Sequence, residues 1–330
     1  MMNTYPKSLT AFQSYKDSYL LSLEPTLFNY FDKLLDNCFF FTLTNYAGRN
    51  YEELDQYDFD SFNYIFLLDS IDPPHYHDTL GKWEDMKSRF SNYLDKTFVV
   101  SSLYQNPYFK TIHFDTFLHS VPEHFKEVEF SRNFTKKYLS YNGQPHPHRL
   151  DLLKTLQQKN LLNDGHVTGY IDDKVLSLDD GVSKEDYLDF NNQITTNKYY
   201  YSTPVNLVTE TSISHSCVFI SEKTVKAIIS KQLIMLIGNP YSYQYLTNVY
   251  GLKNYGFDFE PKLDSLGNYQ DKINYYCDFL RETTLDDLTN IYREKEDILE
   301  YNKNKVLKEF KHISYNLFLT SLKKHRIIHT

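Results

Sequence analysis

The stretch 205–240, VNLVTETSISHSCVFISEKTVKAIISKQLIMLIGNP, leaves few folds open to the chain. It begins with an apolar, β-branched run (Val205, Leu207, Val208) ending at Glu210, the pattern of a strand buried on both faces with a carboxylate at its carboxyl end. A polar loop follows, and Ser221-Glu222-Lys223-Thr224 then opens a segment with helical apolar spacing (Val225, Ile228, Ile229). LIMLIG at 233–238 is a second continuous apolar strand, closed by Asn239-Pro240. Strand, loop, helix, strand is the repeating unit of a parallel sheet with helices on its faces. In open sheets of this kind ligands bind outside the carboxyl ends of the strands, where a helix N-terminus offers a preformed anion site. Glu210, Glu222 and Lys223 all fall on that edge. By residue type they describe either a capped surface helix whose glutamate complements the helix dipole, or a carboxylate suited to a pair of vicinal hydroxyls beside a cation suited to phosphate.

A second unit of the same design begins at 136. KYLS at 137–140 is a short strand, YNGQPHPHR at 141–149 is a loop punctuated by Gly and Pro, and Leu150 opens a helix marked by Leu152, Leu153 and Leu156. Arg149 stands at the start of that helix, where a diphosphate would dock. It also fits an exposed helix residue paired with Asp151. His146 and His148 read as surface histidines of a prolyl loop.

The amino-terminal half carries its own buried strands. CFFFTL at 38–43, FNYIFLL at 62–68, FVVSSL at 98–103 and the segment 111–117 all fit, with a helix expected over 27–35. Asp69 and Asp72 directly follow the second of these, where a general base would be wanted. They equally suit the caps of a turn ahead of Pro73 and Pro74. His113, Asp115 and His119 are further residues for that rim. From 285 onward the chain reads as helical, with Leu299, Val306, Phe310, Ile313 and Leu317 on one stripe.

The chain of 330 residues is long enough for two domains, and 24% charged against 41% apolar residues is ordinary for a globular protein. A formal charge of −8 speaks against a general polyanion binder. Cys38, Cys217 and Cys277 are far apart and lack metal-site spacing, which predicts buried thiols in a reducing compartment. No secretory signal or membrane-length apolar run is present, so a cytoplasmic location is expected.

The order strand, Glu210-Thr211-Ser212, loop, Phe219-Ile220-Ser221-Glu222-Lys223, helix, strand, Gly238-Asn239-Pro240 resembles the donor-binding core of the fucosyltransferase-like glycosyltransferases of family 10. There the pattern reads Glu-Asn-Ser/Thr, a loop, aromatic-Val-Thr-Glu-Lys, helix, strand, Gly-x-Pro. The strand, Asn-Gly loop and Pro-His-Arg helix start are similar to the opening of the carboxyl-terminal domain in bacterial and phage proteins that share the Ser-Glu-Lys-Thr segment. The resemblance implies an α/β fold of two Rossmann-like domains facing a cleft (GT-B), with C-terminal helices. It divides the chain into an acceptor-side domain at 1–135, a donor-binding domain at 136–285, and helices at 286–330 that pack back on the first domain. Carried over, Glu222 binds the nucleotide ribose, Lys223 the diphosphate, and Phe219 lines the donor pocket, with Asn142, Arg149 and Glu210 completing the donor site. Asp69 or Asp72 would be the catalytic base. Thr211 stands where the family has Asn, and Phe219 where it has Tyr.

The activity implied is inverting transfer of a sugar from a nucleotide-sugar co-substrate to an acceptor hydroxyl, with no metal and no further cofactor. A glycan is the implied acceptor. Hydroxymethylated DNA bases are an alternative, as is a non-catalytic binding or virion-associated protein that kept the fold. A GT-A enzyme with Asp58-Phe59-Asp60 as its metal motif ranks lower, since that triplet precedes its strand. The basic and apolar tail, Lys323 to Ile328, is expected to dock on the first domain, with peripheral contact to an acidic membrane or nucleic acid as the alternative.

Overall fold

A computed structural model describes residues 38–43, 54, 57–69, 76–101, 108–115, 118–119, 122, 125–126, 130–171, 174–178, 194–211, 213, 218–254 and 256–328. The chain forms two compact units, Met1–Thr116 with Ser314–Thr330, and Phe117–Ile313. The sequence reading sets its boundaries elsewhere, at 135/136 and 285/286. One reason is that Leu288, Tyr292 and Leu299 are buried in the core of the second unit, which holds the chain there until Ile313.

In the first unit, β1 (Cys38–Leu43), β2 (Tyr64–Asp69), β3 (Thr97–Ser101) and β4 (Lys110–His113) form a parallel sheet in sequential order. Alternation along the strands sends successive side chains to opposite faces. Ile65, Leu67 and Val99 pack with Trp83 and Met86 of α1 (Tyr76–Arg89), together with Phe39 and Phe90. Phe66, Phe98, Val100 and Ile112 pack instead with Phe318, Leu322 and Ile327 from the end of the chain. Both faces are therefore covered, as a parallel sheet requires. The expected helix over 27–35 and residue Asp72 lie outside the described residues.

The second unit contains β5 (Phe125–Lys126), which pairs in parallel with β10 (Ile194–Thr195), and a larger parallel sheet. That sheet is built from β6 (Tyr138–Ser140), β7 (Gly165–Val167), β11 (Val205–Thr209) and β12 (Leu233–Ile237), in the order β12-β11-β6-β7. VTGYI is not one strand: it divides into β7 and β8 (Gly169–Ile171), and β8 turns back antiparallel on β9 (Lys174–Leu176). Helix α2 (Pro147–Gln158) connects β6 to β7, and α3 (Glu222–Ile229) connects β11 to β12. The chain lays β7 on one side of β6 and then returns to lay β11 on the other. This reversal is the topological switch point of a Rossmann-like sheet, and it opens a crevice between the carboxyl ends of β6 and β11.

The remaining helices are α4 (Ser242–Asn248), α5 (Glu260–Leu263), α6 (Tyr269–Glu282), α7 (Leu285–Glu294) and α8 (Glu296–Lys324). The buried stripe of α8 departs from the expected one. After Leu299, Val306 and Phe310 it continues through Ser314, Phe318 and Leu322, a strict four-residue step that leaves Ile313 and Leu317 half-buried. Among the described residues no helix is long and apolar enough to cross a membrane.

A polar cluster is buried beside β12. The Tyr276 hydroxyl donates to Glu260 Oε2 at 2.9 Å and lies 3.2 Å from the carbonyl oxygen of Leu236. Glu260 and Lys272 are both almost wholly buried. Gly256 brings its backbone against β12 so closely that a Cβ there would stand 2.6 Å from the Ile234 carbonyl oxygen and 2.7 Å from Glu260 Cγ. Burial pushes the Glu260 carboxyl up to about 8, against the pull of the Tyr276 hydroxyl and Lys272, and burial lowers the Lys272 ammonium. A carboxyl raised in the folded state binds its proton there more tightly than in the unfolded chain. Its contribution to stability therefore falls as pH rises from its ordinary 4.5 to about 8. Lys272 acts in the opposite sense at higher pH, where the unfolded chain holds the extra proton. Glu260→Gln mimics the protonated carboxyl and is expected to flatten the decline in stability between pH 5 and pH 8 by up to a few kcal/mol. Urea unfolding of both proteins across that range measures the slope, and parallel profiles would refute the assignment.

Candidate functional site

Each wall of the crevice between β6 and β11 is built by a short local motif. On one side, β6 ends at Ser140 and Asn142 follows. Asn142 is 1% exposed, and its amide group is consumed by the framework. Its Nδ2 donates to Ser140 Oγ at 3.0 Å and to the Thr168 carbonyl at 3.2 Å, while its Oδ1 accepts from the Thr209 hydroxyl at 2.8 Å. One side chain thereby ties β6, the turn after β7 and the end of β11 together. This makes Asn142 a positioning residue for the crevice.

Pro147 occupies the first turn of α2, where a missing N–H and a fixed φ are favourable. The two following residues are buried at the switch point. His148 Nε2 donates to the carbonyl oxygen of Glu210 at 2.8 Å, the only role open to it against a carbonyl. Burial, outweighing that bond and aided by Arg149, lowers the His148 imidazole to about 4, so it is neutral at pH 7. The expectation of a surface histidine is corrected here: the residue joins the start of α2 to the end of β11. Arg149, expected to be exposed if it had only a helix-surface role, is 2% exposed.

On the other side, Glu210 follows β11 and is fully buried. Its Oε1 accepts from the Ser221 backbone N–H at 3.0 Å and from the Thr224 hydroxyl at 2.5 Å. Oε2 is buried without a hydrogen-bond partner. Burial raises this carboxyl, opposed by Lys223 and by the Ser221 and Thr224 hydrogen bonds. Glu210 thus holds the first turn of α3 in place. Ser221 caps α3, its hydroxyl accepting from the Lys223 N–H at 3.3 Å. Phe219 is buried at 1% exposure immediately ahead of that turn.

The two walls meet at Thr211. Arg149 Nη2, from α2, and Lys223 Nζ, from α3, lie 3.5 Å and 3.2 Å from its Oγ1. Lys223 Nζ also pairs with Glu222 Oε1 at 3.0 Å, both side chains being about a quarter exposed. Burial pushes the Glu222 carboxyl up, but Lys223 and Lys226 together bring it below the usual carboxylate range. Two cations thus face one neutral hydroxyl, with an ionised carboxylate at their flank. Arg149, Glu222 and Lys223 come together here, whereas Asn142, Glu210 and Phe219 form the frame behind them. Thr211 and His148 were not singled out as site residues by sequence. Thr211 follows Glu210 at a strand's carboxyl end, and that position is the one signal that marks it.

In the first unit, Asp69 closes β2 on the carboxyl edge, and its side chain lies outside the described residues. His113 closes β4 on the same edge and pairs with Asp115, Nε2 to Oδ1 3.2 Å. Asp115 raises the His113 imidazole above its ordinary value, outweighing burial. Asp58, by contrast, caps a turn ahead of β2 by accepting from the Asp60 N–H at 3.1 Å. That places the Asp58-Phe59-Asp60 triplet on the amino side of its strand. Among the described residues no group of three His, Cys, Asp or Glu could hold a metal ion.

No protein-family model matches the chain, and no curated protein matches it in sequence. Among solved structures, an α1,3-fucosyltransferase crystallised with GDP is similar, with 12% sequence identity, coverage of 89% of this chain and 92% of that one, and a TM-score of 0.40.

The framework role of Asn142 can be measured directly. Asn142→Ala leaves the Thr209 hydroxyl and the Thr168 carbonyl without their buried partner and is expected to lower unfolding free energy by about 1–3 kcal/mol. Urea denaturation reads the change, and an unshifted midpoint would remove Asn142 from the frame.

Proposed function

We propose that the chain is a metal-independent, inverting glycosyltransferase of the fucosyltransferase-like, GT-B kind, taking a nucleotide-sugar donor at the β6–β11 crevice and transferring the sugar to an acceptor hydroxyl of a glycan. The observation that carries this reading is the convergence of Arg149 and Lys223 on Thr211 Oγ1 at the switch point. A diphosphate is the group that such a pair suits. Its oxygens accept charge-assisted hydrogen bonds from both heads, and a guanidinium can engage two of them at once. Glu222 sits in the first turn of α3 beside Lys223 and stays ionised, so it can accept hydrogen bonds from ribose hydroxyls.

In the proposed reaction the acceptor hydroxyl loses its proton to a base and attacks the anomeric carbon. The bond from that carbon to the diphosphate oxygen breaks, and the leaving diphosphate takes the electron pair. Arg149 and Lys223 offset the negative charge that develops on that oxygen, and because both are already held in place little reorganisation is needed. Asp69 or Asp72 is the proposed base; Asp69 closes β2 at the carboxyl edge of the first unit's sheet. The His113–Asp115 pair is a second candidate there, because Asp115 orients the imidazole.

Removing any one of these charge-assisted hydrogen bonds is expected to weaken nucleoside diphosphate binding by roughly 1.5–3 kcal/mol. Arg149→Ala and Lys223→Ala should do so while leaving the unfolding midpoint near that of the parent. Glu222→Ala should weaken nucleosides and nucleotides alike. Isothermal titration of the three variants with the nucleoside diphosphate of the preferred base is the measurement, and unchanged affinity in all three would end the glycosyltransferase reading.

A further inference from the structure

The loop after β12 lies against the floor of the proposed site. A Cβ on Gly238, the first residue past the strand, would stand 3.5 Å from Glu210 Cγ, and Glu210 is the residue that holds α3. Tyr241 is three residues further on, so at most about 11 Å of chain separates the two.

Tyr241 has a backbone conformation that its side chain disfavours, with φ at 67° and ψ at 11°. Among the described residues, four that are not glycine share a positive φ: Asn160, Lys231, Tyr241 and Arg326. Three of them end helices in a common way, each followed by a residue whose N–H closes back on the last turn (Leu161 to Leu156, Gln232 to Ala227, Ile327 to Leu322). Tyr241 instead precedes a helix, at the carboxyl edge of the sheet, and no such motif accounts for it. A bulky residue is strained in this region, and strain of this kind persists only where the surroundings enforce it.

The surroundings do enforce it. The Tyr241 N–H donates to the Asp264 carbonyl at 2.8 Å, and the Asp264 carboxylate accepts from the N–H groups of Tyr243 and Gln244 at 2.8 and 2.9 Å. Ser242 Oγ donates to the Asn239 carbonyl at 2.8 Å, and Asn239 is fully buried. The fixed loop leaves Tyr241 54% exposed, an aromatic residue presented to solvent on a rigid mount.

We infer that Tyr241 is the stacking platform for the nucleobase of the bound nucleotide. The inference rests on the donor-site reading above and extends it from the phosphates to the base. The phosphates belong at the β6–β11 crevice and the ribose at Glu222 on α3, the helix that leads from β11 to β12. The base then lies towards the end of β12, where the ring is held. An aromatic face accepts any base with little sequence preference, so Tyr241 supplies affinity and leaves the choice of base to polar contacts.

The test uses the full-length protein, inorganic pyrophosphate, the common nucleoside diphosphates, and the variants Tyr241→Gly and Tyr241→Phe. Glycine relieves the positive φ, so Tyr241→Gly is expected to melt at a higher temperature than the parent. It should also bind the preferred nucleoside diphosphate on the order of tenfold more weakly, with pyrophosphate affinity unchanged. Tyr241→Phe keeps the ring and should keep nucleoside diphosphate affinity. A Tyr241→Gly protein that binds the nucleotide as the parent does would overturn the inference. So would an equal loss for pyrophosphate and nucleotide, which would mark a role in shaping the phosphate site. A parent protein that binds pyrophosphate as tightly as every nucleoside diphosphate would leave the phosphate site standing without a base platform. A parent that binds none of these ligands would remove the donor-site reading itself.

Discussion

The hydrogen bonds accepted by Glu210 are the contact on which the site depends. Its carboxyl is buried where β11 ends, and it accepts from the backbone of Ser221 and the hydroxyl of Thr224. These two donors belong to the first turn of α3, the turn that also carries Glu222 and Lys223. A helix start normally leaves its first N–H groups to water or to a capping side chain. Here one cap comes from Ser221 itself and a second acceptor from the neighbouring strand, so the turn is fixed to the sheet as well as to its own helix. On the opposite wall His148 makes the matching connection, donating to the carbonyl of the same Glu210. One residue therefore registers α2 and α3 against each other across the switch point, its side chain holding one helix and its backbone the other.

Burial governs the charge states around this contact. His148 is kept neutral, which spares a crevice already holding Arg149 and Lys223 a further positive charge. Glu210 is pushed towards its protonated form by the same desolvation that Lys223 opposes. The groups in the wall are thus pressed towards neutrality, while Lys223 and Lys226 favour the ionised form of Glu222. Desolvation penalises an unpaired ion more than a hydrogen-bonded one, and exposure follows that rule in part: Asn142, His148, Glu210 and also Arg149 are sealed, whereas the Lys223 and Glu222 side chains remain about a quarter open.

Strands and the two β-loop-α units were legible in the sequence because parallel strands buried on both faces are written as unbroken apolar runs. TFVVS, VNLVT and LIMLI are buried at every position. The proximity of Arg149 to Lys223 followed from the same logic, since both stand in the first turns of helices that follow strands of one parallel sheet. Strand order was not legible, because it is set by how the connection between β7 and β11 returns, and no local pattern encodes that return. The division between frame and surface was not legible either. Asn142, Glu210 and Phe219 have the residue types of ligand contacts, and only three-dimensional packing shows that their polar atoms or rings are taken up internally. In α8 the apolar positions admit two stripes, through Ile313 and Leu317 or through Ser314 and Phe318. The sheet of the first unit selects the second, where a serine meets the Asp115 carbonyl and a phenylalanine meets Phe114.

The two cations that meet at Thr211 sit in a partly desolvated wall. Arg149 is almost wholly buried, and Lys223 is directed at the same hydroxyl, which carries no charge of its own. Glu222 pairs with Lys223 from the outer side, and burial raises the Glu210 carboxyl behind them. Like charges held near one another in a partly desolvated site repel more strongly than they would in water. Their interaction with a bound polyanion is strengthened by the same low dielectric. A diphosphate, the ligand proposed for this crevice, would supply both cations with a counter-charge, and the hydrogen bonds of Asn142, His148 and Glu210 hold in place the strand ends and helix starts that carry them.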